Sequence, residues 1–207
     1  MNLRRCISFL LPLLLSIDGE TPSFAASPEQ SDYLPVKEGV EWIMDAVVTP
    51  SKGEAIQGTG HRKLTETVQR DGKAYLRSHT IFEADGHPSQ EFSKLVRKDA
   101  TGFYSIDEKD LNSTEQLEIP LPLVVGNTWE YITNGVKRKG SVIGLETIAI
   151  GKNTYKDCYH IRAEALDGSV TEDFWEAPKL GSIKSVAVFS KQGDMVLTLR
   201  EFKAGKE

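Results

Sequence analysis

Cys158 and His160 stand two residues apart in the segment Tyr155-Lys156-Asp157-Cys158-Tyr159-His160-Ile161. A thiol beside an imidazole is the pair that an activated cysteine nucleophile requires. On a strand both side chains leave one face together with Lys156 and Arg162, while Tyr159, Ile161 and Ala163 line the other. Spacing opposes the chemistry, because neighbours two apart on one strand are separated by about 6.6–7 Å at the backbone, long for a proton-transfer hydrogen bond. Cys158 is therefore expected to be a packed, shielded thiol. Glu172, Asp173 and Glu176 flank Phe174 and Trp175, a carboxylate-and-aromatic composition that suits a sugar cleft. Alternation divides them, Glu172, Phe174 and Glu176 on one face and Asp173 and Trp175 on the other, so the acids are expected on a solvated strand face. His61, His79, His87 and His160 lack the spacing of a zinc site, and Gly53 to Gly58 has the glycines of a phosphate loop without its Lys-Ser/Thr. No catalytic residue, metal or cofactor is expected.

The elements that position these residues are strands. β-Branched and aromatic residues alternate over short runs bounded by Asp-Gly, Gly-Lys and Lys-Gln-Gly turns, and no apolar stripe at helical spacing occurs. Strands are predicted over 40–48, 62–70, 73–83, 90–98, 101–106, 128–134, 140–150, 155–165, 169–177, 182–190 and 194–203. The polar stretch Asp107 to Glu118 is expected to be a linker, residues 26 to 32 a disordered lead-in, and Lys137-Arg138-Lys139 a solvated hairpin tip.

Leu34, Pro35, Gly39 and Trp42 recur as Leu121, Pro122, Gly126 and Trp129, all displaced by 87 residues. Four matches at one offset, with scarce Pro and Trp among them, point to two related halves of about 33–106 and 119–203. Each Pro fixes φ and bars a central ladder position, each Gly permits a positive-φ turn, and each Trp starts a strand as a core anchor. Trp175 and Cys158 complete the expected structural anchors. The fold predicted is all-β: one domain, an antiparallel sheet of two sequence-related halves curved into a half-barrel, barrel or sandwich.

Arg4 and Arg5 precede an apolar run of twelve residues, Cys6 to Ile17, and Ser23-Phe24-Ala25 offers small residues before a cleavage point. That is the build of a secretory signal peptide over residues 1–25, with a mature domain over 26–207 that is periplasmic or secreted. Cys6 opens the apolar run and does not follow it, so lipid anchoring is not expected, and no later segment is long and apolar enough to span a bilayer. Cys158 is then the single cysteine of the mature chain and has no internal disulfide partner. The formal charge of −5 disfavours nucleic acid and anionic lipid surfaces.

The run Pro122-Leu123-x-x-Gly126-x-x-Trp129-x-Tyr131, then Tyr155 to Ile161, then Asp173-Phe174-Trp175-x-Ala177-Pro178-x-x-Gly181-x-Ile183-Lys184 resembles bacterial exported proteins and lipoproteins of unassigned function. The resemblance covers most of 118–203 and implies an exported β protein without implying a chemistry. The expected role is a non-enzymatic binding module for a small apolar ligand, lipid or protein partner. The alternatives are an envelope assembly factor pairing through a sheet edge and a hydrolase built on residues distant in sequence.

Overall fold

The computed structural model describes residues 30–109, 113–133 and 135–205; the predicted signal peptide and its cleavage point lie outside them. Twelve strands follow a short 3-10 turn at Gln30–Tyr33. They are β1 (Val40–Pro50), β2 (Ile56–Arg70), β3 (Lys73–Ala84), β4 (Gln90–Lys98), β5 (Gly102–Asp107), β6 (Gln116–Pro120), β7 (Thr128–Thr133), β8 (Val136–Ile150), β9 (Asn153–Ala165), β10 (Val170–Ala177), β11 (Gly181–Phe189) and β12 (Gly193–Ala204). No helix among the described residues is long and apolar enough to cross a membrane.

All twelve form one antiparallel sheet in the order β6-β5-β4-β3-β2-β1-β12-β11-β10-β9-β8-β7. Each half of the chain is a meander, and pairing of β1 with β12, from Val40 opposite Ala204 to Pro50 opposite Gly193, joins the halves. The sheet curls until its edges β6 and β7 face one another. Side chains bridge this seam: Trp129 Nε1 donates to the Glu118 carbonyl at 2.8 Å, and Lys94 Nζ donates to Thr133 Oγ1 at 3.1 Å. The result is a nearly closed barrel whose edge strands are short and mutually covered.

The glycine turns before Trp42 and Trp129 have the same form. Gly39 and Gly126 adopt φ of 83° and 89°, the region that a type II turn demands of its third residue. Their amides donate to Leu64 O and Val142 O, each at 2.8 Å. The tryptophans that follow differ in surroundings. Trp42 lies opposite Arg62, whose guanidinium stands 5.1 Å over its ring. Trp129 lies opposite Gly140, where a Cβ would come within 2.3 Å of the indole, so the missing side chain seats the ring. The prolines differ too: Pro35 packs on Gly181, whereas the Leu121–Pro122 bond is cis and Pro122 is exposed.

Three expectations are corrected. The linker contributes a strand, β6, and just before it Glu115 binds Lys73 at 2.7 Å and accepts from the hydroxyl of Tyr75, which belongs to an apolar cluster with Leu95 and Ile106. The lead-in is ordered from Gln30 onward: Tyr33 is 2% exposed and donates to Asp157 O at 2.9 Å, Lys179 N donates to Asp32 O, and Lys98 Nζ donates to Leu34 O. Because β4 and β9–β11 lie on opposite sides of the strand order, this segment crosses and plugs one end of the barrel. Lys137 and Lys139 are exposed as expected, but Arg138 between them turns inward, as strand alternation requires of the middle residue.

Candidate functional site

A cavity of about 340 Å³ occupies the barrel interior. The plug residues Leu34, Pro35 and Val36 close it on one side, and Trp42, Leu64, Phe103, Ile119 and Phe174 form its apolar wall. A second compartment of about 530 Å³ adjoins it, sharing Arg62, Lys94, Phe103 and Glu118 and extending to Thr80, Phe92, Asp107 and Lys109. Volumes of about 300–1,000 Å³ are those of small-molecule sites.

Charge is set into this wall from strands remote in sequence. Arg62 comes from β2, Lys94 from β4, Glu118 from β6, Arg138 from β8, and Glu172 and Glu176 from β10. Lys94 Nζ lies 2.9 Å from Glu118 Oε1, which also accepts from Ser105 Oγ at 2.6 Å. Burial opposes ionisation of Glu118, but Lys94, Ser105 and Arg62 outweigh it and hold the carboxyl below its usual range. Arg138 Nη1 donates to Glu172 Oε2 at 3.1 Å, while its Nε is buried without a partner among the described residues. Burial pushes the neighbouring Tyr131 hydroxyl up to about 12.

Arg62 and Glu176 remain apart from these pairs. Arg62 donates from Nε to Ser78 Oγ at 2.9 Å and rests over Trp42, with no carboxylate at ion-pair distance among the described residues. Burial lowers its guanidinium from the ordinary value, opposed by the fields of Glu118 and Glu176, and it stays charged. Glu176 is 5% exposed, and burial pushes its carboxyl up to about 8 against Arg62 and a hydrogen bond with Ser182. At neutral pH it is mainly a protonated acid, able to donate a hydrogen bond.

The expected division of the acids between two faces is what the structure has, but the face of Glu172, Phe174 and Glu176 is the cavity wall and not the outer surface, with Glu176 only 5% exposed. Nothing in the local run distinguishes those cases, since a strand lining a lumen and one facing water share the period of two. Asp173 and Trp175 point outward into a polar cluster. His160 stacks on Trp175 with ring centroids 4.6 Å apart, and its Nδ1 and Nε2 lie 2.8 Å from Glu146 Oε1 and 2.7 Å from Asp173 Oδ1. Arg162 forks the same Asp173 at 2.8 and 3.0 Å, and Trp175 Nε1 donates to Glu146 Oε2 at 2.9 Å. Burial pushes Asp173 up, but Arg162 and His160 outweigh it and lower its pKa. These contacts tie β8, β9 and β10 together.

Cys158 forms no dyad with His160, whose two nitrogens are taken by carboxylates. Asp157, with φ of 55°, interrupts the ladder, and the Cys158 thiol is 0% exposed, 3.5 Å from Tyr155 O. Burial pushes it up to about 11, away from the thiolate that nucleophilic attack needs. Cys158→Ser is expected to lower stability by about 1–2 kcal/mol through a poorly satisfied hydroxyl. Modification of the native protein by a thiol reagent at neutral pH should be far slower than for free cysteine; rapid reaction would overturn this reading.

These features define an antiparallel, nearly closed β barrel with an internal cavity. No protein-family model matches the chain, and no curated protein matches its sequence. Among solved structures it is similar to a candidate lipoprotein of Parabacteroides distasonis, at 13% identity and a TM-score of 0.49 over 83% of this chain and 98% of that one. It is also similar to a candidate exported protein with a YmcC-like fold from Bacteroides fragilis, at 12% identity and a TM-score of 0.47 over 82% and 98% of the two chains.

Proposed function

We propose that this chain is an exported, non-enzymatic binding protein that carries a small molecule in its barrel lumen. The observation that carries the reading is the concave cavity of about 340 Å³ with its adjoining compartment, where apolar walls surround a few convergent polar groups. Of the small apolar ligand, lipid or protein partner expected from sequence, the six acidic and basic side chains on that wall favour an amphipathic small molecule. Export rests on Arg4, Arg5, the apolar run Cys6 to Ile17 and the small residues before Ala26. Pairing with a partner through a sheet edge is the weaker reading, because β6 and β7 cover one another.

Native mass spectrometry of the chain recovered from the envelope without detergent tests both parts. The expected species begins at Ala26, within a residue or two, and retains a small-molecule adduct. A chain that begins at Met1 and stays in the cytoplasm would overturn export. A protein recovered only as the bare chain, whose melting temperature responds to none of decanoate, decanol and decylamine, would overturn the lumen reading.

A further inference from the structure

The lumen wall carries three cations, Arg62, Lys94 and Arg138, and three carboxyl groups, Glu118, Glu172 and Glu176, yet only two ion pairs form among them. Lys94 is paired with Glu118 and Arg138 with Glu172. Arg62 is left with Ser78 and the face of Trp42 as its close contacts, while Glu118 and Glu176 act on it only through their fields. A half-buried guanidinium on an apolar wall gains from any counter-charge that reaches it. Its planar fork matches a carboxylate bidentately, and a protonated Glu176 across the same cavity would add a donor to that head group.

We propose that the lumen ligand is an amphiphile with one carboxylate head group, seated on Arg62 beside Glu176, with its tail along Leu64, Phe103, Ile119 and Phe174. The inference rests on the lumen reading above and specifies its ligand. One guanidinium without an ion-pair partner calls for one negative head group; a phosphate monoester would bring more charge than that single site pairs, and a cationic head would meet Arg62 directly.

The test is calorimetric titration of the mature chain, and of its Arg62→Gln and Arg62→Lys variants, with decanoate, decanol and decylamine below their aggregation concentrations. Circular dichroism checks the fold of each variant. The wild type is expected to bind decanoate about tenfold or more tighter than decanol and to bind decylamine least. Arg62→Gln should lose that preference while still binding decanol, and Arg62→Lys should keep part of it because it retains charge without the fork. Equal binding of decanoate and decanol by the wild type would overturn the carboxylate assignment and leave the lumen reading standing. So would a folded Arg62→Gln variant with undiminished preference. If Arg62→Gln fails to fold, the wild-type ranking of head groups and the Arg62→Lys variant decide. Absence of binding by all three compounds would overturn the lumen reading itself.

Discussion

Replacing Glu176 with glutamine is expected to stabilise the protein, and to do so more strongly as pH rises. A glutamate in the unfolded chain releases its proton near the ordinary value of 4.5, whereas burial lets Glu176 keep it until about 8. Between those values the folded state holds a proton that the unfolded state has lost, so each step upward in pH favours unfolding; above about 8 both states are ionised and the loss is complete. A shift of this size corresponds to a few kcal/mol. Glutamine preserves shape and hydrogen bonding but does not titrate. Urea denaturation of both proteins at about pH 5, 7 and 9 checks this, since titrations common to the two cancel in the difference. The variant's advantage should be small at the lowest pH and largest at the highest. A difference constant with pH would mean that Glu176 is already ionised in the folded barrel.

Trp42→Ala is expected to be the most damaging single truncation considered, at about 3–5 kcal/mol against a total stability of roughly 5–15 kcal/mol for a typical domain. Trp42 is 6% exposed, packs on Phe202 with ring centroids 5.8 Å apart, and donates from Nε1 to Leu180 O at 2.6 Å. Leu180 adjoins Lys179, whose amide holds Asp32 of the plug, so truncation loosens the end of the barrel as well as its core. Trp42→Phe should keep most of the packing and lose the hydrogen bond, at about 1–2 kcal/mol. Trp129→Ala should cost less than Trp42→Ala, because Trp129 is only partly buried and locks a seam that has no backbone ladder. Denaturant midpoints for the three variants give the ranking. A Trp129→Ala cost equal to or above that of Trp42→Ala would refute this division of roles.

Local sequence was informative wherever one strand contained the whole signal. Alternation located eleven of the strands, because side chains of a half-buried strand must change faces at every residue. The strand missed, β6, is five residues long with a register shift in its pairing with β5, so its period never develops. Alternation likewise separated Glu172 and Glu176 from Asp173. It had no means of showing that the first two face a lumen, a fact that depends on which strands lie across the barrel. Residues 26 to 32 read as a disordered lead-in for the same reason: that run carries no periodicity, and the plug that begins within it is held by Asp157, Lys98 and Lys179 far along the chain.

By itself the sequence determined an all-β antiparallel chain, the glycine turns before Trp42 and Trp129, and the absence of a local proton-transfer geometry between Cys158 and His160. These follow from backbone period, from φ, and from the spacing of neighbours on one strand. Tertiary structure alone decided that the sheet joins through β1 and β12, that its edges meet, and that Arg62, Lys94, Glu118, Arg138, Glu172 and Glu176 share one cavity. Closing the sheet brings strands from both halves within reach across a lumen, and burial there raises the Glu176 carboxyl to about 8 while leaving Arg62 without a carboxylate partner among the described residues. Those two properties arise from enclosure and from neighbours remote in the chain, so no run of adjacent residues encodes them.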